Sequence, residues 1–513
     1  MPVSTASSEQ QPQLAQSLNL QNADSLKRLQ RQATSWAFLH GLILRDANGN
    51  SSGDNAAVPL PISLAPTPYP RANFEQAVRI QPSMTALFHR VASDDAFLDE
   101  ITNQLAGVDD FCRRLGEIHQ KVRQETAERR ARDGENAVVS QTATLAIVRS
   151  DYMLHPADDN SGKFHIHQVE FNTISCSFTS LSSKVTGLHR ALASRGAYKG
   201  ILDKVDATDL PDNSAITDVA SGIAEAHEVY CRGQGISKDE AVAVIVVQPG
   251  ERNVFDQQWL AEHLVADHGV VMVRKTFAEL HDEAVLDEGS LVLRLGDGRQ
   301  VSVVYYRSAY TPDDYKTEDA WEVRLRIERS RALKCPSIAW QLAGSKKVQQ
   351  VLALPGTLER FVDSAEDIAA VRECFAGLYP LDQSPDGIAA YERALAEPSK
   401  YVLKPQREGG GNNIYGSDIP AYLEKLSAEG RSAYILMDLI RPPTNVSLLS
   451  RFGQLWTGRT ISELGIYGVF IHTPEQGVLR NDATGYLLRS KAADVNEGGV
   501  MGGSGVLDSV HLV

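Results

Sequence analysis

Residues 400–416 concentrate side chains that could handle a polyphosphate. An apolar run at 401–403 predicts a short buried strand, which leads to Lys404, Glu408 and three successive glycines. Glycines expose backbone N–H groups to phosphate oxygens, a lysine adds a point charge, and a glutamate suits the Mg²⁺ that accompanies ATP. The alternative is a flexible surface turn. Because the lysine precedes the glycines, the segment is not the GxxxxGK[ST] phosphate loop.

A second group of oxygen donors lies in residues 164–172, FHIHQVEFN, whose alternation predicts a strand. Alternation places Glu170 and Asn172 on one face, where their oxygens could reach one cation; a polar strand end is the alternative. His165 and His167 fall on the opposite face. No third soft ligand is nearby, so we interpret both as exposed side chains and not as a metal pair.

Polar side chains also follow a predicted parallel unit in the middle of the chain. The apolar, β-branched run at 241–247 is typical of a buried parallel strand, and a helix and a second strand near 269–274 come after it. Ligands of such sheets lie past the carboxyl ends of the strands. Glu251, Asn253 and Gln257 fall at that position.

Four further residues have a functional and a plain structural interpretation. Arg307, at a strand end, could bind a substrate carboxylate or form a surface salt bridge. Ser175 and Ser177 could contact a polar ligand or cap the following helix. Lys346 lies at the start of a predicted helix, where the helix dipole favours anions and not cations. A phosphate held between the lysine and the helix N-terminus would explain this position.

Several longer segments must position these residues. A helical pattern covers 24–44, residues 46–72 are predicted as a loop, and 94–132 as long helices. Residues 1–22 are rich in Ser, Gln and Pro and predict a flexible tail. A second glycine-rich segment, at 498–505, pairs with the first as a candidate lid.

Composition narrows the class of protein. The chain has 513 residues, enough for two or three domains, with 42% apolar and 23% charged residues. Its net charge of −14 argues against nucleic acid as a main partner. No 18-residue apolar stretch and no secretion signal are found, and five cysteines without a CxxC pair favour reduced thiols and a cytoplasmic location. Oxygen donors, lysines and glycine loops together favour an ATP- and Mg²⁺-using ligase or kinase.

Seven motifs in order then resemble eukaryotic glutathione synthetase, from about residue 140 to the C-terminus: RSDYM, EFNTISCSF, ERNVFDQ, KCPSIAWQLAGSKKVQQ, KPQREGGGNNIYG, ISELGIYG and LLRSKA. The resemblance implies an α/β fold of the circularly permuted ATP-grasp type, with an inserted parallel-sheet substrate-binding domain and glycine-rich lids. It implies a homodimer that joins γ-glutamylcysteine to glycine through an acyl phosphate. ATP would be the co-substrate and Mg²⁺ the cofactor, two ions per subunit.

The resemblance also implies roles for individual side chains. The metal ligands would be Glu170, Asn172 and Glu408. The catalytic residues would be Arg149, Lys404 and Arg489. The ATP contacts would be Lys346, Lys404, Gly409, Gly410, Asn413, Tyr415, Met437, Glu463, Lys491 and Glu497. The substrate contacts would be Arg149, Ser175, Ser177, Glu251, Asn253, Gln257, Arg307, Tyr310, Arg489, Val500 and Met501.

The implied domain division follows these motifs. After the tail, residues 23–240 would hold the N-terminal helices and the first part of the ATP-grasp core. Residues 241–345 would form the parallel-sheet substrate-binding domain. Residues 346–513 would supply the ATP-grasp lid and the C-terminal core.

Three positions depart from the family pattern. Leu439 stands where relatives carry a lysine after the adenine-pocket methionine, and Glu497 replaces an aspartate. Val500-Met501 continues into two glycines where relatives commonly read Val-Ala-Ala-Gly, so a ligase for β-alanine is an alternative. A non-catalytic nucleotide or glutathione sensor is a further alternative. It would be favoured by loss of the metal-ligand set, Arg149 or Lys404, all of which are present.

Overall fold

The computed structural model of the protein describes residues 18–46, 56–157, 161–202, 205–408 and 411–513. Within them the chain is a mixed α/β protein built on three main sheets. None of the described helices is long and apolar enough to cross a membrane. The helices are α1 Ala23–Leu39, α2 Arg71–Ala92, α3 Asp95–Ala106, α4 Asp110–Asp133, α5 Thr179–Ser194, α6 Ala215–Gln234, α7 Val254–His268, α8 Phe277–Glu283, α9 Glu318–Arg329, α10 Ile338–Ala343, α11 Lys346–Leu352, α12 Leu358–Phe361, α13 Ala365–Glu373, α14 Pro385–Ala396 and α15 Asp418–Leu423.

The largest sheet, here called the central sheet, gathers strands from both ends of the chain. Its neighbours pair antiparallel except the short contact between Leu507 and Ile62, which is parallel. Long strands near the C-terminus thereby lie beside strands from the first third of the chain. In spatial order the strands are β17 Asn445–Arg451, β3 Ile62–Ser63, β20 Gly505–Asp508, β19 Gly477–Ala492, β18 Gln454–Thr473, β5 Thr144–Pro156 and β6 Phe164–Asn172.

The second sheet, the parallel sheet, confirms the strand–helix–strand prediction around the run at 241–247. All six residues of β7 (Ala241–Val246) are buried, as expected for a strand covered on both faces. Helix α7 follows and ends at Gly269, whose φ of +69° suits glycine. The other strands are β8 Met272–Lys275, β11 Gln300–Tyr306 and β12 Leu333–Cys335, with the short antiparallel β9 Val285–Leu286 and β10 Leu293–Arg294.

The third sheet, the small sheet, is antiparallel and contains the strand predicted at 401–403. Its strands are β13 Leu378–Pro380, β16 Tyr434–Asp438, β14 Tyr401–Pro405 and β15 Ile414–Tyr415. Two short pairs complete the strands: β1 Ile43–Arg45 with β2 Ala57–Pro59, and β4 Thr67–Tyr69 with β21 Val510–Leu512.

The prediction of a loop over 46–72 is wrong in part. Residues 47–55 lie outside the described chain, but β2, β3 and β4 all form after them. Strand β3 pairs with β17 and β20, and β4 pairs with β21, all more than 380 residues away, so no local pattern indicates the pairing. The sequence pattern also did not predict helix α2, which contains Pro82.

The N-terminal segment is anchored where it can be described. Residues 1–17 of the predicted tail lie outside the described residues. The backbone N–H of Asn19 donates to the carbonyl of Ile201 at 2.8 Å. Asn22 then caps α1 by accepting from the backbone N–H of Ser25.

Candidate active site

One face of the central sheet carries a group of buried and partly buried charged and polar side chains, here called the sheet cluster: Arg149, Asp151, Asn172, Glu463 and Arg489. Strand register brings them together, because Arg149 pairs with Asn172 across β5 and β6, and Glu463 pairs with Arg489 across β18 and β19. Strand β18 lies directly beside β5, so both pairs are neighbours. Two stretches of the chain that are far apart in sequence, β5–β6 and β18–β19, thus meet on one surface.

Arg149 and Asp151 form the innermost pair of the sheet cluster. Nε of Arg149 donates to Oδ1 of Asp151 at 2.6 Å, and an NH2 group donates to Oδ2 at 2.7 Å. Gly465 lies opposite Asp151 on β18, and a Cβ atom there would come within 2.6 Å of Oδ1. Glycine at this position therefore leaves room for the ion pair.

Arg489 links the pair to the next strand. Its guanidinium contacts Oδ2 of Asp151 at 3.1 Å and also forms a close ion pair with Glu463. Burial opposes ionisation of Arg489, but Glu463 and Asp151 outweigh it and raise the pKa of Arg489. The predicted ATP contact Glu463 and the predicted catalytic residue Arg489 are therefore partners in this structure.

The three predicted metal ligands all border this region. Nζ of Lys346 lies 3.4 Å from Glu170 and 3.1 Å from Glu408, so one ammonium group is shared by two of the predicted ligands. Asn172 lies two residues after Glu170, although β6 does not alternate regularly: Asp151 pairs with Glu170, but Tyr152 pairs with Gln168, which leaves Val169 as a bulge.

The electrostatics of the three residues suit a cation. Burial opposes ionisation of Glu170, but Lys346, Lys404 and the two arginines outweigh it and hold its pKa at about 2. Burial raises the pKa of Glu408, against the attraction of Lys346. Burial also opposes ionisation of Lys346, but Glu408 and Glu170 together outweigh it and raise the pKa of Lys346.

Lys404, on β14, approaches from the small sheet. Its ammonium group donates to the carbonyl oxygen of Val169 at 2.8 Å, at the bulge of β6. Burial lowers the pKa of Lys404 to about 8, partly offset by Glu170. The small sheet and the central sheet therefore meet at the predicted phosphate and metal residues.

A second group, here called the loop cluster, consists of Glu408, Asn413, Tyr415 and Glu497. Asn413 and Tyr415 both donate to one oxygen of Glu497, at 3.1 and 3.2 Å. This contact joins the two glycine-rich segments predicted as lids. Gly409 and Gly410 lie outside the described residues, and Gly411, which follows them, has a φ of +77°.

The residues predicted to hold the adenine form an apolar surface on the small sheet. Met437 is buried among Val402 and Ile435, and Tyr415 packs against the same group. Leu439, which replaces the family lysine, packs there too. Lys491 donates to the backbone carbonyl of Asn496, beside Glu497.

The predicted substrate residues meet at the ends of β7 and β11. Arg307 is not a surface residue: its guanidinium pairs at 2.8 Å with the fully buried Asp256. Nε of Arg307 is buried and has no hydrogen-bond partner among the described residues. Asp256 also accepts from the backbone N–H groups of Phe178, Ser180 and Leu181, so it fixes the start of α5.

The helix-cap interpretation of Ser175 and Ser177 is wrong. The N-cap position of α5 is Phe178, and the carboxylate of Asp256 receives the free N–H groups. Ser175 has a φ of +53°, and the carbonyl of Ser177 accepts from Tyr467 at 2.6 Å. Both serines lie in a shaped turn beside the sheet cluster.

The remaining substrate predictions form a short chain of contacts. Glu251 accepts from the backbone of Asn253 at 2.7 Å and from the side chain of Gln257 at 3.4 Å. Tyr310 accepts from Gln248 at 3.3 Å. In the second glycine-rich segment Val500 is buried, and the carbonyl of Met501 accepts from Arg252 at 2.7 Å.

Sequence reasoning missed three supporting residues. Asp151, Asp256 and Gly465 are buried beside the predicted residues but were not selected. The spacing of Arg149 and Asp151, two apart on a strand, was the available signal. A cavity of about 40 Å³ that adjoins Lys346 and Glu408, lined partly by Phe111 of α4, had no sequence signal at all.

The chain is similar to known proteins over nearly its whole length. Residues 23–512 match the family model described as eukaryotic glutathione synthase, ATP binding domain. A chloroplastic glutathione synthetase of Arabidopsis thaliana is 41% identical over 95% of this chain and 86% of that protein. The Homo sapiens glutathione synthetase is 38% identical over 96% of this chain and 98% of that protein.

A solved structure agrees with the fold. A glutathione synthetase-like effector from Globodera pallida, in its apo form, superposes with a TM-score of 0.72 at 24% identity, over 96% of this chain and 98% of that chain. The fold, the charged site and the match to the family model together define an enzyme with an ATP-binding domain. The chain belongs to the eukaryotic glutathione synthetase family, and its activity is glutathione synthesis.

Proposed function

We propose that the sheet cluster and the loop cluster together bind Mg–ATP and γ-glutamylcysteine and join the dipeptide to glycine. The observation that carries the proposal is the position of Lys346, whose ammonium group lies between Glu170 and Glu408 and within the same buried region as Arg149 and Arg489. Such a concentration of fixed cations and carboxylates suits the transfer of a phosphoryl group.

The residues fit Mg²⁺. Glu170 and Glu408 offer carboxylate oxygens, which this hard cation prefers. The side-chain nitrogen of Asn172 donates to Asp151 at 3.0 Å, which leaves its oxygen available as a ligand. When bound, the ions, two per subunit as in the resemblance, would neutralise the negative charge on the phosphates.

The protein's own residues would then act in two steps. Lys346 and Lys404 hold the transferred phosphoryl group while the cysteinyl carboxylate attacks it, and ADP leaves. Arg149 stabilises the charge on the resulting acyl phosphate. The glycine amine attacks the acyl carbon, an amide bond forms, and phosphate leaves with the C–O bond broken. Water must be excluded throughout, because an acyl phosphate hydrolyses readily.

The substrate contacts follow from the geometry of Arg307. Asp256 holds one nitrogen of its guanidinium, and Nε has no hydrogen-bond partner in the part of the chain that the structure describes. A guanidinium fixed in this way suits a substrate carboxylate. We assign the other end of the dipeptide to Arg489, Ser175 and Ser177, and the incoming amino acid to the segment of Val500 and Met501.

The finer description of the fold is also a proposal. We assign the small sheet and the central sheet to a permuted ATP-grasp core. The proposed tail ends at residue 22, and the proposed domain boundaries follow residues 240 and 345. Tyr415 and Met437 would line the adenine pocket, with Asn413, Glu463, Lys491 and Glu497 around the nucleotide and Gly409 and Gly410 over the phosphates.

A homodimer in the cytoplasm is the proposed state of the protein. Phe38 and Leu39, at the end of α1, are 51% and 81% exposed, which is unusual for large apolar side chains. A second copy of the chain would cover them. Light scattering coupled to size exclusion should give twice the 56.1 kDa chain mass, and a single chain mass would refute the dimer.

The experiment that tests the proposed function is ADP release from Mg–ATP in four mixtures. These contain γ-glutamylcysteine with glycine, γ-glutamylcysteine alone, glycine alone, and γ-glutamylcysteine with β-alanine. Fast release only with γ-glutamylcysteine and glycine is the expected result. Preference for β-alanine would change the product and keep the mechanism. No release from folded protein that binds ATP would favour a sensor instead.

A further inference from the structure

Asp151 is a fully enclosed charged residue of the sheet cluster. It is 0% exposed and lies in the middle of β5, between β18 and β6. Its carboxylate accepts from Nε and NH2 of Arg149, from Nδ2 of Asn172 at 3.0 Å, and from NH2 of Arg489 at 3.1 Å. One carboxylate thus contacts three residues that the proposed function uses.

The contact with Asn172 fixes which atom of its amide faces the metal position. Nδ2 of Asn172 donates to Oδ2 of Asp151 and, at 3.3 Å, to the backbone carbonyl of Arg149. A reversed amide would set its oxygen against two acceptors, which is unfavourable. The oxygen of Asn172 is therefore turned away from Asp151 and left for a cation.

The contact with Arg149 fixes a guanidinium in the same way. Two parallel N–H···O bonds hold the guanidinium of Arg149 in the plane of the carboxylate, whereas a single hydrogen bond would let it rotate. Gly465 keeps the space for this pair, since a Cβ atom there would also come within 2.7 Å of Cδ of Arg149. The sequence of the facing strand is thus adapted to the Arg149–Asp151 pair.

The same contacts argue against proton transfer by Asp151. Four donors occupy its two oxygens, and it has no exposed surface. A general base needs reach to the proton that it removes. Asp151 acts by holding other residues, not by touching the substrate.

We propose that Asp151 is the positioning residue of this site, which orients the guanidinium of Arg149 toward the reacting carboxyl group and the oxygen of Asn172 toward Mg²⁺. The inference rests on the proposed function, because it assigns the orientation of residues whose roles are proposed there. It adds a residue that touches neither substrate nor cofactor but sets the geometry of both.

The variant Asp151→Asn tests this role with almost no change in volume. The amide nitrogen of the new asparagine cannot accept the hydrogen bonds that the carboxylate of Asp151 accepts. Arg149 and Asn172 therefore lose their fixed orientation. We expect kcat to fall by about 10- to 100-fold, as for residues that orient metal ligands. We expect the Mg²⁺ concentration for half-maximal activity to rise, and the KM for ATP to stay within about twofold, because the nucleotide contacts are untouched.

Asp508→Asn is the matched control. Asp508 is a buried aspartate of the same sheet, but its partners are the hydroxyls of Thr67 and Ser490 and the backbone of Ser509. We expect this variant to lose thermal stability and to keep kcat and the Mg²⁺ requirement. If Asp151→Asn also loses only stability, Asp151 is a structural residue and the proposal is overturned.

A second comparison tests whether Asp151 acts through Arg149. We expect Asp151→Asn to cost less in an Arg149→Lys background than in the native protein, because lysine cannot keep the two-point contact. If the two substitutions lower kcat independently, so that their fold-changes multiply, Asp151 does not act through Arg149 and this part of the proposal is overturned. Calorimetric titration of Asp151→Asn and Asp508→Asn with Mg²⁺ at saturating ADP supplies a readout without turnover. Weaker Mg²⁺ binding is expected for Asp151→Asn alone.

The native protein separates the two levels of failure. If native protein releases no ADP with γ-glutamylcysteine and glycine, the proposed function fails and the variants need no interpretation. If native protein turns over and Asp151→Asn matches it in kcat and Mg²⁺ requirement, only the positioning role fails.

Discussion

The sheet cluster and the loop cluster hold charge in different ways. In the sheet cluster, strand register sets the positions of Arg149, Asp151 and Arg489, and several hydrogen bonds hold each side chain. In the loop cluster, Glu408 shares one ammonium group with Glu170, and Asn413 and Tyr415 share one oxygen of Glu497. Several hydrogen bonds hold each side chain of the first arrangement, whereas the second depends on shared contacts between loop residues.

This difference suggests a division of work. A surface that must stabilise a developing charge gains from rigidity, because it needs no reorganisation during the reaction. Residues that admit and enclose a nucleotide gain from contacts that can be exchanged. We therefore expect the sheet cluster to keep its geometry when ligands bind, and the loop cluster and Lys346 to change theirs.

The largest effect is expected where the two clusters meet. Glu408→Ala removes a proposed metal ligand and leaves Lys346 with Glu170 alone, so turnover should fall by more than about 100-fold, beyond the usual loss for an outer residue. Circular dichroism and thermal melting should show that the fold is kept. Glu424→Ala, an exposed position on the same part of the chain, is the control. Normal turnover in Glu408→Ala would refute the assignment.

A large effect limited to one substrate is expected at Arg307. Arg307→Ala should raise the KM for γ-glutamylcysteine by about tenfold or more, since one charged contact to a substrate typically contributes over 1.4 kcal/mol. The KM for ATP should change by less than about twofold. The variant should also melt at a lower temperature, because Asp256 is left buried without its cation. Arg299→Ala, which removes an exposed ion pair, controls for charge; equal shifts in both KM values would count against the assignment.

A moderate effect is expected within the loop cluster. Glu497→Ala removes the acceptor of Asn413 and Tyr415, two hydrogen bonds worth about 1 kcal/mol each. Because the contact joins the two glycine-rich segments around the nucleotide, the KM for ATP should rise several-fold with kcat nearly unchanged. Steady-state kinetics at saturating dipeptide and glycine would measure it. A fall in kcat without a change in the KM for ATP would place Glu497 in the chemistry instead.

The smallest effect is expected away from both clusters. Gly233 lies near the end of α6, with no atom within 4 Å of a Cβ placed there and no positive φ. Gly233→Ala should stabilise the protein by up to about 1 kcal/mol, because alanine has less backbone freedom to lose in a helix. Chemical denaturation would measure the gain. Activity should not change. A destabilised or less active variant would show that a side chain at this end of α6 disturbs the structure or the site.

Local sequence patterns predicted several elements that carry the proposed site residues, but not the contacts between those residues. Local patterns were enough for the strand at 401–403, the buried run before Glu251 and the helix that opens at Lys346. The pairing of Asp151 with Arg489 depends on strands more than 300 residues apart. Such pairing leaves no local periodicity.

The same limit explains two structural surprises. Asp256 starts α5 from another element, so the serines that precede α5 looked like its caps. Strands β3 and β4 pair with strands near the C-terminus, far away in sequence. Motifs identified the chemistry, whereas the partner of each charged group required the three-dimensional arrangement.

The most direct test of the comparison is a structure of the protein with Mg²⁺ and a non-hydrolysable ATP analogue. We expect oxygens of Glu170, Asn172 and Glu408 on the metal, and Nζ of Lys346 moved from the carboxylates to a phosphate oxygen. The Arg149–Asp151 distances should stay at 2.6 and 2.7 Å within error. A complex in which Lys346 keeps its carboxylate partners while the Arg149–Asp151 pair separates would contradict the account.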